Sequence, residues 1–184
     1  MEKAMALKAT VIKAGLQVSD MDRHYYASHD LTLAQHPSET DLRLMVRLLA
    51  FALFADERLT FGRGVSSGDE PDLWRTSLDG EIEQWIDLGQ PDESRIRKAC
   101  GRAREVIVIG YGGRAFSIWW EKNGGQLARH ANLSVLEIPA DAVEALPGLY
   151  ARNVQLQCLI QDGEVQLIGD VASVTLTPVH LKDA

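Results

Sequence analysis

The residues with most capacity for chemistry lie between Pro71 and Arg104, in PDLWRTSLDGEIEQWIDLGQPDESRIRKACGRAR. The stretch reads as strand, turn, strand, helix. Leu73-Trp74 and Ile82 to Leu88 have strand character, with Asp79-Gly80 as the turn between them. Along the second strand Glu81, Glu83, Trp85 and Asp87 point one way and Ile82, Gln84, Ile86 and Leu88 the other. Gly89 ends that strand. Pro91 suits the first turn of a helix, where Asp92 and Glu93 meet the positive end of its dipole. Five basic residues follow between Arg95 and Arg104. Carboxylates that converge at the end of a sheet bind a hard divalent cation such as Mg2+ through oxygen. Such an ion lowers the pKa of a bound water and stabilises charge on a phosphate oxygen. Arg95 and Arg102 on the helix behind would contact nucleic-acid phosphates. The plainer alternative is a solvated acidic strand face paired with the basic helix, an arrangement that contributes little stability when exposed.

The elements that must position this stretch flank it on both sides. Leu7 to Val18 alternates, with Thr10, Ile12, Ala14, Leu16 and Val18 on one face, as a half-buried strand does. Asp20-Met21-Asp22 turns the chain, and Arg23 to Gln35 reads as the partner strand with Leu31 and Leu33 inward. The histidines of this hairpin, His24, His29 and His36, are irregularly spaced on the pleat and read as surface or half-buried side chains rather than metal ligands. Ser38 is the expected N-cap of the next helix, with Asp41 three residues on. Leu42 to Leu53 is apolar on most sides, which predicts a helix central to the core, with Arg43 and Arg47 on its one polar face. Gly64 to Glu70 reads as a polar loop.

After the basic helix, Val106 to Ile109 is a continuous apolar run, typical of a strand covered on both faces. Gly110-Tyr111-Gly112-Gly113-Arg114 leads into a helix over Ala115 to Lys122, which Gly124-Gly125 is expected to end. A glycine-rich turn of this kind with an arginine can hold a phosphate, although glycines more often serve a tight turn. Leu133 to Ile138 is a strand and Pro139 to Leu146 a short helix. Val154 to Ile160, Val165 to Ile168 and Val174 to Leu176 form an antiparallel meander, expected to share a sheet with the first hairpin.

The 184 residues suit one domain, 1–184, with a substantial core. Hydrophobic content of 46% and charged content of 24% are ordinary for a globular protein. No apolar run approaches the ~20 residues of a membrane helix. The start, MEKAMALKATVIKAG, lacks the pattern of a signal peptide. The expectation is therefore a cytoplasmic protein with no membrane partner, and with Cys100 and Cys158 as buried reduced thiols. A net charge of −7 opposes long, sequence-blind nucleic-acid binding, but leaves room for a local basic patch.

The middle of the chain reads helix, strand, strand, strand, helix, strand. That order resembles the core of the restriction-endonuclease-like superfamily, with its PD-(D/E)xK motif. Asp72 follows Pro71 as that motif's first acid does, and Asp87 stands fifteen residues later (87 − 72), where the second belongs. The motif's lysine should follow two residues on, where this chain has Gly89, with Gln90 next. The resemblance implies Lys98, two turns into the following helix, as a migrated replacement. A more specific resemblance covers nearly the whole chain. HPSETD (36–41), FADERLTF (54–61), DEPDLW (69–74), WIDLGQPDESRIRKAC (85–100), IWW (118–120), ANLSV (131–135) and QDGEV (161–165) are similar to the bacterial YaeQ family. That resemblance implies a mixed α/β (α+β) fold: an αβββαβ core with an added antiparallel sheet made from the N-terminal hairpin and the C-terminal strands. It also carries an association with transcription.

Two functions of different class follow. One is a Mg2+-dependent nuclease or nucleic-acid-processing enzyme, with Asp72, Asp87 and Glu83 as metal ligands, Lys98 (or Gln90) orienting the water, and Glu57 as a more remote acid. It requires Asp72 and Asp87 to lie within reach of one ion. The other is a non-catalytic regulatory protein that binds nucleic acid or protein on the same framework. It predicts acids splayed apart or engaged in salt bridges, with an exposed cleft intact around them. Gly89 favours the second and the retention of both acids the first. Exposed Trp74 and Trp85 acting as protein-binding anchors are a third option.

Overall fold

The computed structural model describes residues 8–63 and 68–184, so the first residue of the expected opening strand and positions 64–67 of the polar loop lie outside it. Strands β1 (Thr10–Asp20) and β2 (Tyr25–Gln35) form the predicted hairpin. Helix α1 (Asp41–Leu53) follows, then β3 (Leu59–Phe61), β4 (Leu73–Thr76), β5 (Ile82–Leu88), α2 (Glu93–Arg102) and β6 (Ala103–Gly110). The chain continues as α3 (Arg114–Leu127), β7 (Leu133–Glu137), α4 (Ala140–Ala145), a 3-10 turn at Leu146–Leu149, β8 (Asn153–Gln161), β9 (Glu164–Ile168), β10 (Ser173–Leu176) and β11 (Val179–Lys182). The fold is mixed α+β, with four α-helices among the described residues and two mixed sheets.

The five-stranded sheet has the order β10-β9-β8-β1-β2. The hairpin and the C-terminal meander do share it, but they join through β1 and β8, which run parallel. The added sheet is therefore mixed rather than wholly antiparallel. The six-stranded sheet has the order β11-β7-β6-β5-β4-β3. Strands β5, β6 and β7 are parallel, with α2 and α3 as their crossovers. The final strand, β11, has no counterpart in the sequence reading. It leaves the meander and adds antiparallel to β7, on the edge of the other sheet.

Helix α1 lies between the two sheets. Leu44 through Ala52 are all buried, Arg47 included. A helix apolar on nearly every side is stable only when it is covered on nearly every side. One cover comes from the inner face of the five-stranded sheet, through Ile12, Leu16, Leu33, Leu156 and Leu167. The other comes from Leu73, Ile86, Ile107 and Ile109 of the six-stranded sheet, and all of these share one cluster with α1. The opposite face of the six-stranded sheet carries Trp85, Val106, Val108, Leu133 and Val135 against Ile96 and Ala99 of α2 and Phe116 and Leu127 of α3. Both faces of β5 and β6 are thus closed, as the apolar run at Val106 to Ile109 predicts.

Local details depart from the expectations for physical reasons. The N-cap of α1 is Thr40, whose Oγ1 accepts from the Arg43 N–H at 3.1 Å, not Ser38. Ser38 is instead held by the His36 Nδ1, 2.6 Å from its hydroxyl. Helix α3 runs through Gly124-Gly125 to Leu127, because Leu127 is fully buried and its packing outweighs the helix penalty of two glycines. Gly110 is required for packing: a Cβ there would stand 1.9 Å from the Phe116 ring.

Two predictions come from this core. Leu48→Ala, in the middle of α1, is expected to cost about 2–5 kcal/mol in chemical denaturation. His29 faces α1, its ring 5.0 Å from Phe51. Burial holds its imidazole below the ordinary pKa, with Glu57 and Asp56 partly offsetting that. The folded state therefore resists a proton that the unfolded chain accepts near pH 6.5. This contribution is fully present above that pH and is lost as pH falls below it through the lower pKa of the folded state. Thermal unfolding should show a smaller loss of Tm between pH 7.5 and 5.5 for His29→Gln than for the wild type.

Candidate functional site

Strands β4 and β5 are antiparallel with Leu73 opposite Ile86, so one step outward Asp72 stands opposite Asp87. Residues so placed have Cβ atoms about 4.5–5.5 Å apart. The two acids are thus brought together at the carboxyl end of β5, where open α/β sheets commonly bind ligands.

Every carboxylate oxygen of the pair already accepts a hydrogen bond. Asp72 Oδ1 takes the Arg43 guanidinium at 2.7 Å, and Oδ2 takes the Leu88 N–H at 2.8 Å. Asp72 so continues the ladder of β5 by one rung beyond the start of β4. Its own carbonyl accepts from the Gly62 N–H. Asp87, only 2% exposed, is gripped from both oxygens by Arg95, through Nε at 2.8 Å and a terminal nitrogen at 3.0 Å. Arg95 also donates to the carbonyls of Gly68 and Glu70.

The ion pairs extend inward along α1. Arg43 donates to Glu39 at 3.1 Å, and the other oxygen of Glu39 takes Arg47. Arg47 donates as well to the Ala34 carbonyl, and its guanidinium lies over the Phe61 ring. Burial disfavours the charge of Arg43, but the Asp72 carboxylate outweighs that and holds the guanidinium protonated more firmly than usual. For Arg95 the hydrogen bonds it donates to Asp87 do the same against its own burial. Tyr111 sits beside this cluster. Burial raises its phenol pKa, with Arg43 pulling it down and Asp72 and Glu39 pushing it up.

The remaining candidates are dispersed. Glu83 lies four residues before Asp87 on β5, about 13 Å at ~3.3 Å per residue. It is held by Arg58 and Arg75 at 3.0 and 2.9 Å. It is therefore not a third ligand beside Asp72 and Asp87. No group of three or more His, Cys, Asp or Glu is gathered for a metal among the described residues. Glu57 follows the far end of α1, a helix length away from the pair. Lys98 is exposed on α2, among the residues of a surface cleft that include neither acid. Gln90 is exposed and reaches over Gly112, 3.6 Å from where a Cβ would be. Arg95 is a strut inside the structure, not a free phosphate contact. Arg102 is exposed, with one hydrogen bond to the Asp69 carbonyl at 3.3 Å.

The solvated strand face is not found either. Trp85 is 2% exposed beneath α2, which removes it as a surface anchor, and Trp74 packs edge-on to it at 6.3 Å. Sequence reasoning missed Arg43, Glu39 and Tyr111. The signal that could have found Arg43 was its place on the otherwise apolar α1, where a buried guanidinium needs a carboxylate partner.

A sequence profile of the YaeQ protein family matches residues 5–178. The chain belongs to the YaeQ family. The uncharacterised protein YaeQ of Escherichia coli (strain K12) is 46% identical over 166 residues, which cover 90% of this chain and 92% of that one. The uncharacterised YaeQ of Salmonella typhi is 47% identical over 163 residues, with 89% and 90% covered. The crystal structure of YaeQ from Xanthomonas axonopodis pv. citri superposes with a TM-score of 0.93 at 61% identity, over 96% of this chain and 99% of that one. YaeQ from Pseudomonas syringae gives 0.91 at 34% identity, over 96% and 97%. Membership of this family brings the α+β fold with it.

The two sides of the Arg95–Asp87 pair are expected to respond unequally. Arg95→Ala leaves a carboxylate with 3% side-chain exposure and no counter-charge. It should cost about 3 kcal/mol, the low end for a broken buried pair because Arg95 itself keeps contact with water. Asp87→Asn leaves a guanidinium that solvent can reach and should cost only about 1–2 kcal/mol. Urea denaturation of both variants measures the difference.

Proposed function

We propose that this chain is a non-catalytic binding protein on a nuclease-like αβββαβ framework, in which the two motif acids have become structural. The order α1-β3-β4-β5-α2-β6 and the opposition of Asp72 and Asp87 across β4 and β5 support that reading. One observation carries the reading: all four oxygens of the pair accept hydrogen bonds from this chain, and two of the donors are guanidinium groups. A dication entering there would displace or face Arg43 and Arg95 at close range, in a site of low local dielectric where that repulsion is strong. Lys98, the proposed replacement for the motif lysine, stands on the outer side of α2, apart from the acids.

The second reading, a Mg2+-dependent phosphodiesterase, is favoured by the direct opposition of Asp72 and Asp87 across β4 and β5. It would need both arginines to withdraw and a cation from elsewhere to take the lysine's part. On the binding reading the partner is nucleic acid or protein. A cytoplasmic location accords with unbridged Cys100 and Cys158. The Cys158 thiol is pushed up to about 12, by burial and then by Asp20, which suits a structural residue.

Calorimetric titration with Mg2+ and Mn2+, with Asp72→Asn and Asp87→Asn as controls, separates the two. The binding reading expects no submillimolar site in the wild type, and no cleavage of single-stranded DNA, duplex DNA or RNA. Metal binding by the wild type that both variants abolish would overturn it.

A further inference from the structure

The solvent side of α2 borders an open cleft of about 650 Å3, closed on its other side by the segment at Gly68 and Asp69. The volume falls within the range of ligand sites. Arg95, Lys98 and Arg102, spaced i, i+3 and i+7, run along one stripe of the helix into it. Their roles differ. Arg95 is committed to Asp87. Lys98 makes no ion pair among the described residues. Among the described residues Arg102 has only its hydrogen bond to the Asp69 carbonyl, and its guanidinium lies over the Trp85 ring, 5.3 Å from the centroid. Arg97, at the cleft's rim, shares Glu93 with Arg129, so that trio keeps one positive charge.

Trp85 forms part of the cleft wall. Its Nε1 is buried and has no hydrogen-bond partner among the described residues. The cleft thus presents the Lys98 ammonium, and the Arg102 guanidinium lying over the Trp85 ring. Asp69 and Asp92 also line it and temper its charge. Lys98, Arg102 and the Arg97 trio bring three positive charges against the two carboxylates, a formal excess of one. That suits a single phosphate group, not the 6–10 phosphate contacts of an extended duplex interface, and it accords with a net charge of −7.

We infer that the α2 cleft is a phosphate-binding site in which Lys98 and Arg102 hold the anion, with Arg97 at its edge. This rests on the binding reading above and gives it a place and a ligand chemistry. Arg95 contributes by fixing α2 to β5, not by touching the ligand. The phosphate has two sources of the same chemistry: a small phosphorylated molecule, or the phosphorylated end of a nucleic-acid strand. Arg102 is exposed, so an anion that draws it from the Trp85 ring changes the indole's surroundings and its emission.

The test is a titration of the full chain in the presence of a chelator, followed by both tryptophan fluorescence and calorimetry. The probes are inorganic pyrophosphate and a short single strand with and without a 5′-phosphate. Saturable binding is expected, weakened about tenfold or more in Lys98→Ala and in Arg102→Ala, as loss of a charged hydrogen bond predicts. Trp85→Phe should abolish the emission change while calorimetry still registers binding. Preference for the phosphorylated over the unphosphorylated strand assigns the strand end. Pyrophosphate binding with no such preference assigns a small ligand. Both support the site. Absence of binding for all three probes at millimolar concentration, or wild-type affinity in both variants, overturns it. The chelator keeps this outcome separate from metal binding at Asp72 and Asp87, so this inference and the non-catalytic reading can fail independently.

Discussion

Burying a helix on nearly all sides leaves its charged residues no water to face. Arg43 and Arg47 lie on α1, the layer between the two sheets, and Arg47 is only 5% exposed. An unpaired guanidinium there would be far too costly. Glu39 bridges both arginines and Asp72 accepts from the other terminal nitrogen of Arg43. Removing one member of such a chain strands the others, so the whole set is held in one geometry. The position of Asp72 is a consequence of how α1 is covered.

The same logic operates on the other face of the six-stranded sheet. Helix α2 seals Trp85 and the end of β5, and this places the Asp87 carboxylate out of solvent. Arg95 supplies the counter-charge and ties the segment around Gly68 and Glu70 to the same point. Two acids that stand opposite one another across β4 and β5 are thus claimed by two helices on opposite faces of the sheet. Their proximity, taken alone, suggests a metal site. Their hydrogen bonds show both engaged in holding layers together. On the outer side of α2, Lys98, with no ion pair among the described residues, and Arg102, with one backbone hydrogen bond, face an open cleft.

Much of the layout was legible because it depends on local pattern. The alternation from Thr10 to Val18 marked the face of β1 that packs on α1, and the apolar run from Leu42 marked α1 as central. The continuous run at Val106 marked a strand covered twice. Details that hinge on competition between neighbours were less legible. Ser38 and Thr40 are both good caps, and Thr40 prevails where Ser38 is held by His36. Gly124-Gly125 reads as a helix stop, but the buried Leu127 beyond it carries the helix through. Strand β11 is short and shows little alternation, and its place beside β7 depends on where that edge lies in space.

The sequence by itself determined the family, through its long ordered matches, together with the α+β class and the order of elements as far as β10. The elements are carried by periodicity and turn chemistry within a few dozen residues. Only the tertiary structure decided which partners the two acids take. Arg43 is 29 residues from Asp72 in the chain, and Arg95 eight from Asp87. Which cations reach which carboxylates is settled by the rotation of α1 and α2 against the sheet. Periodicity limits that rotation to a face, while an ion pair requires an atom to arrive within about 3 Å.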